Sequence, residues 1–207
     1  MVEYKSNISK QSERTKSSFK KAFIDLIHEK GYSHVTVTDI IKRADYNRTT
    51  FYLHFQDKQC LTDELQREMF KQVKEKSMNK YERGKAISIT EMDPKSFELT
   101  HFIYSEQAYF NLLLKNDTIP GLHRDLPKAI YEVLEESFIL SAINQLDINY
   151  SVHKLYMAHG TAGLLVNWIE NGYDVSPDDM SLRLIQILHS FAKEFSIATK
   201  SKNTPPI

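Results

Sequence analysis

The sequence predicts an all-α protein, on three observations. Only six Gly and six Pro occur in 207 residues, so long helices are permitted and the many tight turns of an all-β fold are missing. Apolar residues recur at helical spacing through most of the chain. Helix-starting side chains, among them Thr36, Asn47, Asp57 and Ser176, stand at the borders of those segments. A composition of 41% apolar and 26% charged residues is that of an ordinary globular chain.

Composition also narrows compartment and partners. No apolar stretch approaches the roughly 18 residues of a membrane span. Residues 1–10 are polar and carry no secretory h-region. The single Cys60 has no internal disulfide partner, so a reducing cytoplasm is the expected location and no membrane partner is expected. The net charge is zero, yet residues 1–60 hold eleven Lys/Arg against seven Asp/Glu. The remainder holds sixteen against twenty. A basic head on an acidic body points the head toward a polyanion.

The first helix is expected from about Ser12 to Lys30. Phe19, Ala22, Phe23, Leu26 and Ile27 form one apolar stripe there, and Gly31 follows as a stop. Thr36-Val37-Thr38-Asp39 fits a capping box that starts a second, short helix with Ile40, Ile41 and Ala44 on its buried face. Asp45-Tyr46-Asn47 has turn and cap chemistry, and Asn47 caps a third helix from Arg48 to about His54. Asp57 caps a fourth, with Leu61, Leu65 and Met69 four residues apart. Two short helices on a tight turn between longer ones match the helix-turn-helix plan. The third helix divides into an apolar side (Phe51, Phe55) and a polar side (Arg48, Thr49, Tyr52), as a groove-reading helix requires.

The run from Thr36 to Ala44, then Asn47-Arg48-Thr49-Thr50-Phe51-Tyr52-Leu53-His54-Phe55-Gln56-Asp57-Lys58, then Leu61, resembles the TetR family signature. The likeness covers about residues 15–65. It implies a DNA-binding regulator, not an enzyme, with contacts from Thr38, Asn47, Arg48, Thr49, Tyr52, His54 and Lys58. Arg48 and Thr49 sit where the family reads bases. Tyr52, His54 and Lys58 sit where it holds phosphates, and Thr50 supports the helix. One departure stands out. The family's turn usually has Gly followed by a Val-like residue, where this chain has Asp45 and Tyr46. Asp tolerates the left-handed conformation, so the turn survives, with a carboxylate beside the DNA and a larger Tyr46 to pack around.

The expected division is a helix-turn-helix head over 1–60, a helical body over 61–200 and a frayed tail over 201–207. Within the body, residues 82–95 read as a linker, and helices are expected over Pro94–Ser105, Glu106–Asn116, Asp125–Gln145, Ser151–Asn171 and Ser176–Ile197. The last two are apolar on more than one face, and a partner subunit is the simplest second cover. Gly160, Gly163, Trp168, Leu184, Leu188 and Phe191 are therefore expected at a homodimer interface, an arrangement the family resemblance also implies. The resemblance further implies a small-molecule effector that releases the dimer from a palindromic operator in double-stranded DNA. His101, Tyr104, Tyr109, His123, Tyr156, His159 and Trp168 are the polar and aromatic candidates for touching it. No cofactor and no metal site are expected, because no Cys cluster or paired His motif occurs. The alternative reading is a co-activator or adaptor of the same plan, acting through a protein partner without an effector pocket.

Overall fold

The computed structural model describes residues 2–78, 80–142 and 151–197. They gather into two compact units. One holds the chain up to Met69 together with Gln107–Leu122, and the other holds Phe70–Glu106 with the residues from His123 onward.

The first unit is built from α1 (Val2–Lys30), α2 (Val37–Ala44), α3 (Arg48–His54) and the first part of α4 (Lys58–Lys76). The apolar stripe of α1 buries Phe19, Phe23 and Ile27 completely. Ile40 of α2, Phe51 of α3 and Leu61 of α4 close over it, equally buried. Phe19 sits edge-on to Phe51 and Phe55, at centroid distances of 5.2 and 6.2 Å, a favoured aromatic geometry. Lys20 of α1 clasps Glu64 at 2.9 Å and Glu68 of α4.

The short α6 (Gln107–Phe110) and the tight helical turn Asn111–Leu114 belong to this unit too. They are tied to α1 by a His28 Nε2 contact with the Ala108 carbonyl at 2.6 Å and by Lys115 Nζ donating to the His28 carbonyl. Asp117 accepts from both the Ser33 backbone N–H and its hydroxyl. Gly31 is required at that junction. Its φ is +83°, and a Cβ would collide with the Asp117 carboxylate.

The second unit contains β1 (Ala86–Ser88), α5 (Glu98–Ser105), α7 (Leu122–Ser137), β2 (Phe138–Ala142), α8 (Ser151–Glu170), α9 (Pro177–His189) and β3 (Ala192–Ile197). It is mostly helical, as expected, but carries a small antiparallel sheet in the order β1-β3-β2. Three sequence expectations are corrected here. The 82–95 linker contains β1 and two single-turn helices, Ile89–Glu91 and Pro94–Ser96. The helix expected to Gln145 ends at Ser137, with residues 143–145 outside the described residues. The last helix ends at His189 instead of near Ile197.

The reason is pairing. Phe195 lies opposite both Ile87 and Leu140, and Ile197 opposite Phe138. Phe138, Leu140, Phe195 and Ile197 are buried together with Val133 and Ile185. Alternation along β2, with Phe138 and Leu140 in and Ile139 out, is a period of two that a helix cannot satisfy.

The start of α9 follows its local chemistry. The Ser176 hydroxyl accepts from the Asp179 N–H at 3.1 Å, and Pro177 takes the first helical position. A buried hydroxyl pair, Thr100 to Ser181 at 2.6 Å, fastens α9 to α5. The tail over 201–207 lies outside the described residues.

Candidate nucleic-acid interface

The capping box at the head of α2 forms as its residues dictate. The Thr36 hydroxyl accepts from the Asp39 N–H at 3.2 Å, and the Asp39 carboxylate accepts from the Thr36 N–H at 2.9 Å. Lys30 Nζ adds a third bond to Asp39 at 2.7 Å. Lys30 and then Thr36 hold the Asp39 carboxyl well below the usual carboxylate range. Arg43 grips Glu29 with both nitrogens, at 2.7 and 2.6 Å, and lowers that carboxyl in the same way.

The turn after α2 adopts the left-handed conformation at Asp45, with φ 58° and ψ 45°. The N–H groups of Asp45 and Tyr46 return to the last carbonyls of α2, closing the helix end. Tyr46 packs its ring on Phe19 at 5.1 Å, so the large residue in this turn is anchored to α1. Asn47 then caps α3, with Oδ1 accepting from the Thr50 N–H at 2.8 Å and from its hydroxyl at 3.0 Å.

Phe51 and Phe55 seat α3 on the unit's core, and the opposite side is exposed. Arg48, Thr49 and Tyr52 lie on that side. The Arg48 guanidinium donates to the Tyr52 hydroxyl at 3.3 Å and lies 5.5 Å from its ring centroid. Thr38 is exposed in the first turn of α2. His54 is half-buried beside Phe55. Lys58 opens α4, but its ammonium lies over the Tyr32 ring at 4.3 Å and donates to the Tyr32 carbonyl at 3.1 Å. Asn47 and Lys58 are thus tied to backbone groups of this unit, whereas Thr38, Arg48, Thr49 and Tyr52 present side chains to solvent, Arg48 and Tyr52 bonded to each other. Sequence reasoning passed over Leu53, which is 77% exposed on α3. Its signal was an apolar residue two positions from Phe51, off the Phe51/Phe55 side. Such a residue suits contact with a thymine methyl.

The residues expected to touch an effector do not form one cluster. Tyr109 is fully buried in the first unit against Phe110. The others lie in the second unit. His101 pairs with Asp178 at 2.9 Å. Tyr104 stacks on Trp168, and Tyr173 stands edge-on to both. Burial and then the neighbouring Tyr104 push the Tyr173 phenol up to about 12. Trp168 is buried and donates to the Val175 carbonyl at 3.0 Å. His123, Tyr156 and His159 are exposed. A cavity of about 430 Å³ opens in this unit, and of the seven candidates Tyr156 lines it. Of the residues expected at a dimer interface, Gly160, Gly163 and Phe191 are exposed, Leu188 is half-buried, and Leu184 and Trp168 are buried.

A helix-turn-helix whose second helix turns a polar side outward, in a chain with a mostly helical second unit, defines a class: the helix-turn-helix transcription regulators. Residues 21–65 match the model of bacterial regulatory proteins of the tetR family. Residues 90–190 match a transcriptional regulator C-terminal region of the same type. The chain belongs to the TetR family, a family of regulators and not of enzymes.

It is 24% identical over 195 residues to YxbF of Bacillus subtilis (strain 168), an uncharacterized HTH-type transcriptional regulator. That match covers 90% of this chain and 47% of YxbF, so the chain spans about half the length of that curated relative. Among solved structures, a TetR transcriptional regulator from Streptococcus agalactiae 2603V superposes with a TM-score of 0.55 at 21% identity, over 87% of this chain and 96% of that one. The dihydroxyacetone kinase operon activator DhaS does so with a TM-score of 0.57 at 18% identity, over 85% and 94%. These structural likenesses show the fold.

Proposed function

We propose that the chain is a DNA-binding transcription repressor that grips a palindromic operator as a homodimer and is released by a small-molecule effector. The observation that carries the DNA reading is the solvent face of α3, where Arg48, Thr49 and Tyr52 stand clear of the Phe51/Phe55 anchor. Arg48 and Thr49 read base edges, Thr38 contacts base or phosphate, and Tyr52, His54 and Lys58 hold the backbone. Lys58 would exchange its Tyr32 carbonyl for a phosphate oxygen. Asn47 serves mainly as the cap that sets the pitch of α3.

Homodimerisation through α8 and α9 rests on apolar side chains left open to solvent: Val152, Leu155, Tyr156 and Leu164 on α8, and Leu182 and Ile187 on α9. Apolar side chains exposed on both helices suit an interface with a second copy. Among the described residues no helix is long and apolar enough to cross a membrane, which accords with a cytoplasmic site of action.

The test is a mobility-shift titration of the full chain on the DNA flanking its own gene, with random duplex as competitor. A retarded complex that survives competitor supports the reading, and none at low salt refutes it. A second reading is a co-activator or adaptor working through a protein partner. The Asp45 carboxylate beside α3 favours it, because it opposes phosphate. Failure to shift any DNA at low salt would select it.

A further inference from the structure

We propose that Leu53 is a specificity-determining residue that reads the C5-methyl group of thymine in the major groove. The proposal rests on the operator reading and deepens it, by naming the base chemistry that α3 selects.

Phe51 fixes which way α3 faces, because it is fully buried beside Phe19 and Phe55. At about 100° per residue, Thr49 and Leu53 each stand about 20° from the direction opposite Phe51. Arg48 and Tyr52 stand on one flank, about 60° and 100° from Phe51. Being four residues apart, Thr49 and Leu53 form one ridge, and both are exposed. The crest of the outward face therefore carries the Thr49 methyl and hydroxyl and then the Leu53 isobutyl group. At 77%, Leu53 is the most exposed large apolar side chain among the described residues. A single exposed Leu on an ordinary surface asks for no explanation. This one occupies the crest of the helix that a helix-turn-helix lays in the major groove.

Leu has no donor and no acceptor. Set against guanine O6, adenine N6 or cytosine N4, it would strip water from the group and return no hydrogen bond. Set against the thymine methyl, it leaves no polar group unpaired and buries apolar surface on both sides. Arg48 on the flank is suited to guanine O6 and N7. The exposed face of α3 thus carries chemistry for a guanine and for a thymine in the same site.

The experiment first selects a duplex from a random library with the full chain. The selected duplex is then synthesised in two forms, one with thymine and one with deoxyuridine at every thymine position. The two forms differ in C5-methyl groups and keep the same pairing edges and phosphates. Burying one methyl is worth about fourfold in affinity, so the uracil form should bind at least fourfold more weakly in fluorescence anisotropy. Leu53→Ala should lose most of that difference and bind the thymine form about as weakly as the wild type binds the uracil form. Ala is a strong helix former, so the variant should keep α3, and its melting temperature checks this. Arg48→Ala should be weaker on both forms and keep the thymine preference.

Equal binding of the two forms by the wild type overturns the proposal. So does a preference as large in Leu53→Ala as in the wild type, which would come from the shape of the DNA. Either result leaves the operator reading standing. A library that yields no enriched duplex at low salt removes the operator reading and this proposal with it.

Discussion

Arg48 and Tyr52 are four residues apart on α3, so they share one face of the helix, and the guanidinium is held over the phenol before any partner arrives. A preordered Arg loses less rotamer freedom on binding. Arg48→Ala should weaken operator binding by about 1–3 kcal/mol and relax preference at one base pair in each half-site. Fluorescence anisotropy on the operator and on single-base variants measures this, and an equal loss on random DNA would remove Arg48 from base reading. Asp45 carries the opposite lesson. Its left-handed φ of 58° suits Gly at least as well. Asp45→Gly should therefore move stability by no more than about 1 kcal/mol in denaturant, while affinity for random duplex at low salt rises. Unchanged affinity would mean that the carboxylate stands away from the phosphates.

Among the elements, the helices of the first unit are joined by carboxylates whose proton affinity is depressed. Arg43 lowers Glu29, and Lys30 with Thr36 lowers Asp39. Glu64 is lowered despite partial burial, because Lys20 and Lys16 outweigh the desolvation that would raise it. The Ser33 hydroxyl and N–H lower Asp117. Each folded value lies below the unfolded one, so the stability these groups contribute is present above about pH 4 and is lost as pH falls further. Amide exchange in residues 21–65 should therefore accelerate between about pH 4 and pH 2, after correction for intrinsic rates. Asp39→Asn should flatten that acceleration and lower protection at neutral pH. A wild-type profile without pH dependence there would show that these pairs contribute nothing to folding.

For the whole molecule, the proposed homodimer would set two heads on one operator. Gly163 lies exposed on α8, and nothing stands within 4 Å of where a Cβ would be. Gly163→Glu should therefore leave the isolated chain folded and act on association alone. Light scattering at micromolar concentration is expected to report a monomer. Operator affinity should fall far more than affinity for a half-site, because the second head is no longer delivered at high effective concentration. A dimer of unchanged mass would take Gly163 out of the interface.

Local chemistry determined much of this protein before any contact was known. Thr36 with Asp39, Asn47, Asp57 and Ser176 each cap the helix that their type and position announce, since a cap needs only a side chain and the next three backbone N–H groups. The α1 stripe and the two faces of α3 were equally legible, because helical periodicity shows burial directly. Tertiary structure decided the rest. Phe138–Ala142 and Ala192–Ile197 read as helix in isolation, and only pairing between segments 50 residues apart makes them strands. Asp117, an unremarked residue in the sequence, holds the loop after α1 through Ser33. The polar and aromatic residues that looked ligand-like were drawn to partners of their own: His101 to Asp178, and Trp168 to Val175. The cavity formed mostly among Leu, Ile, Val, Phe and Met, with Tyr156 alone of those candidates on its wall. An empty volume is set by side chains from five separate elements at once, and no local spacing in the chain encodes it.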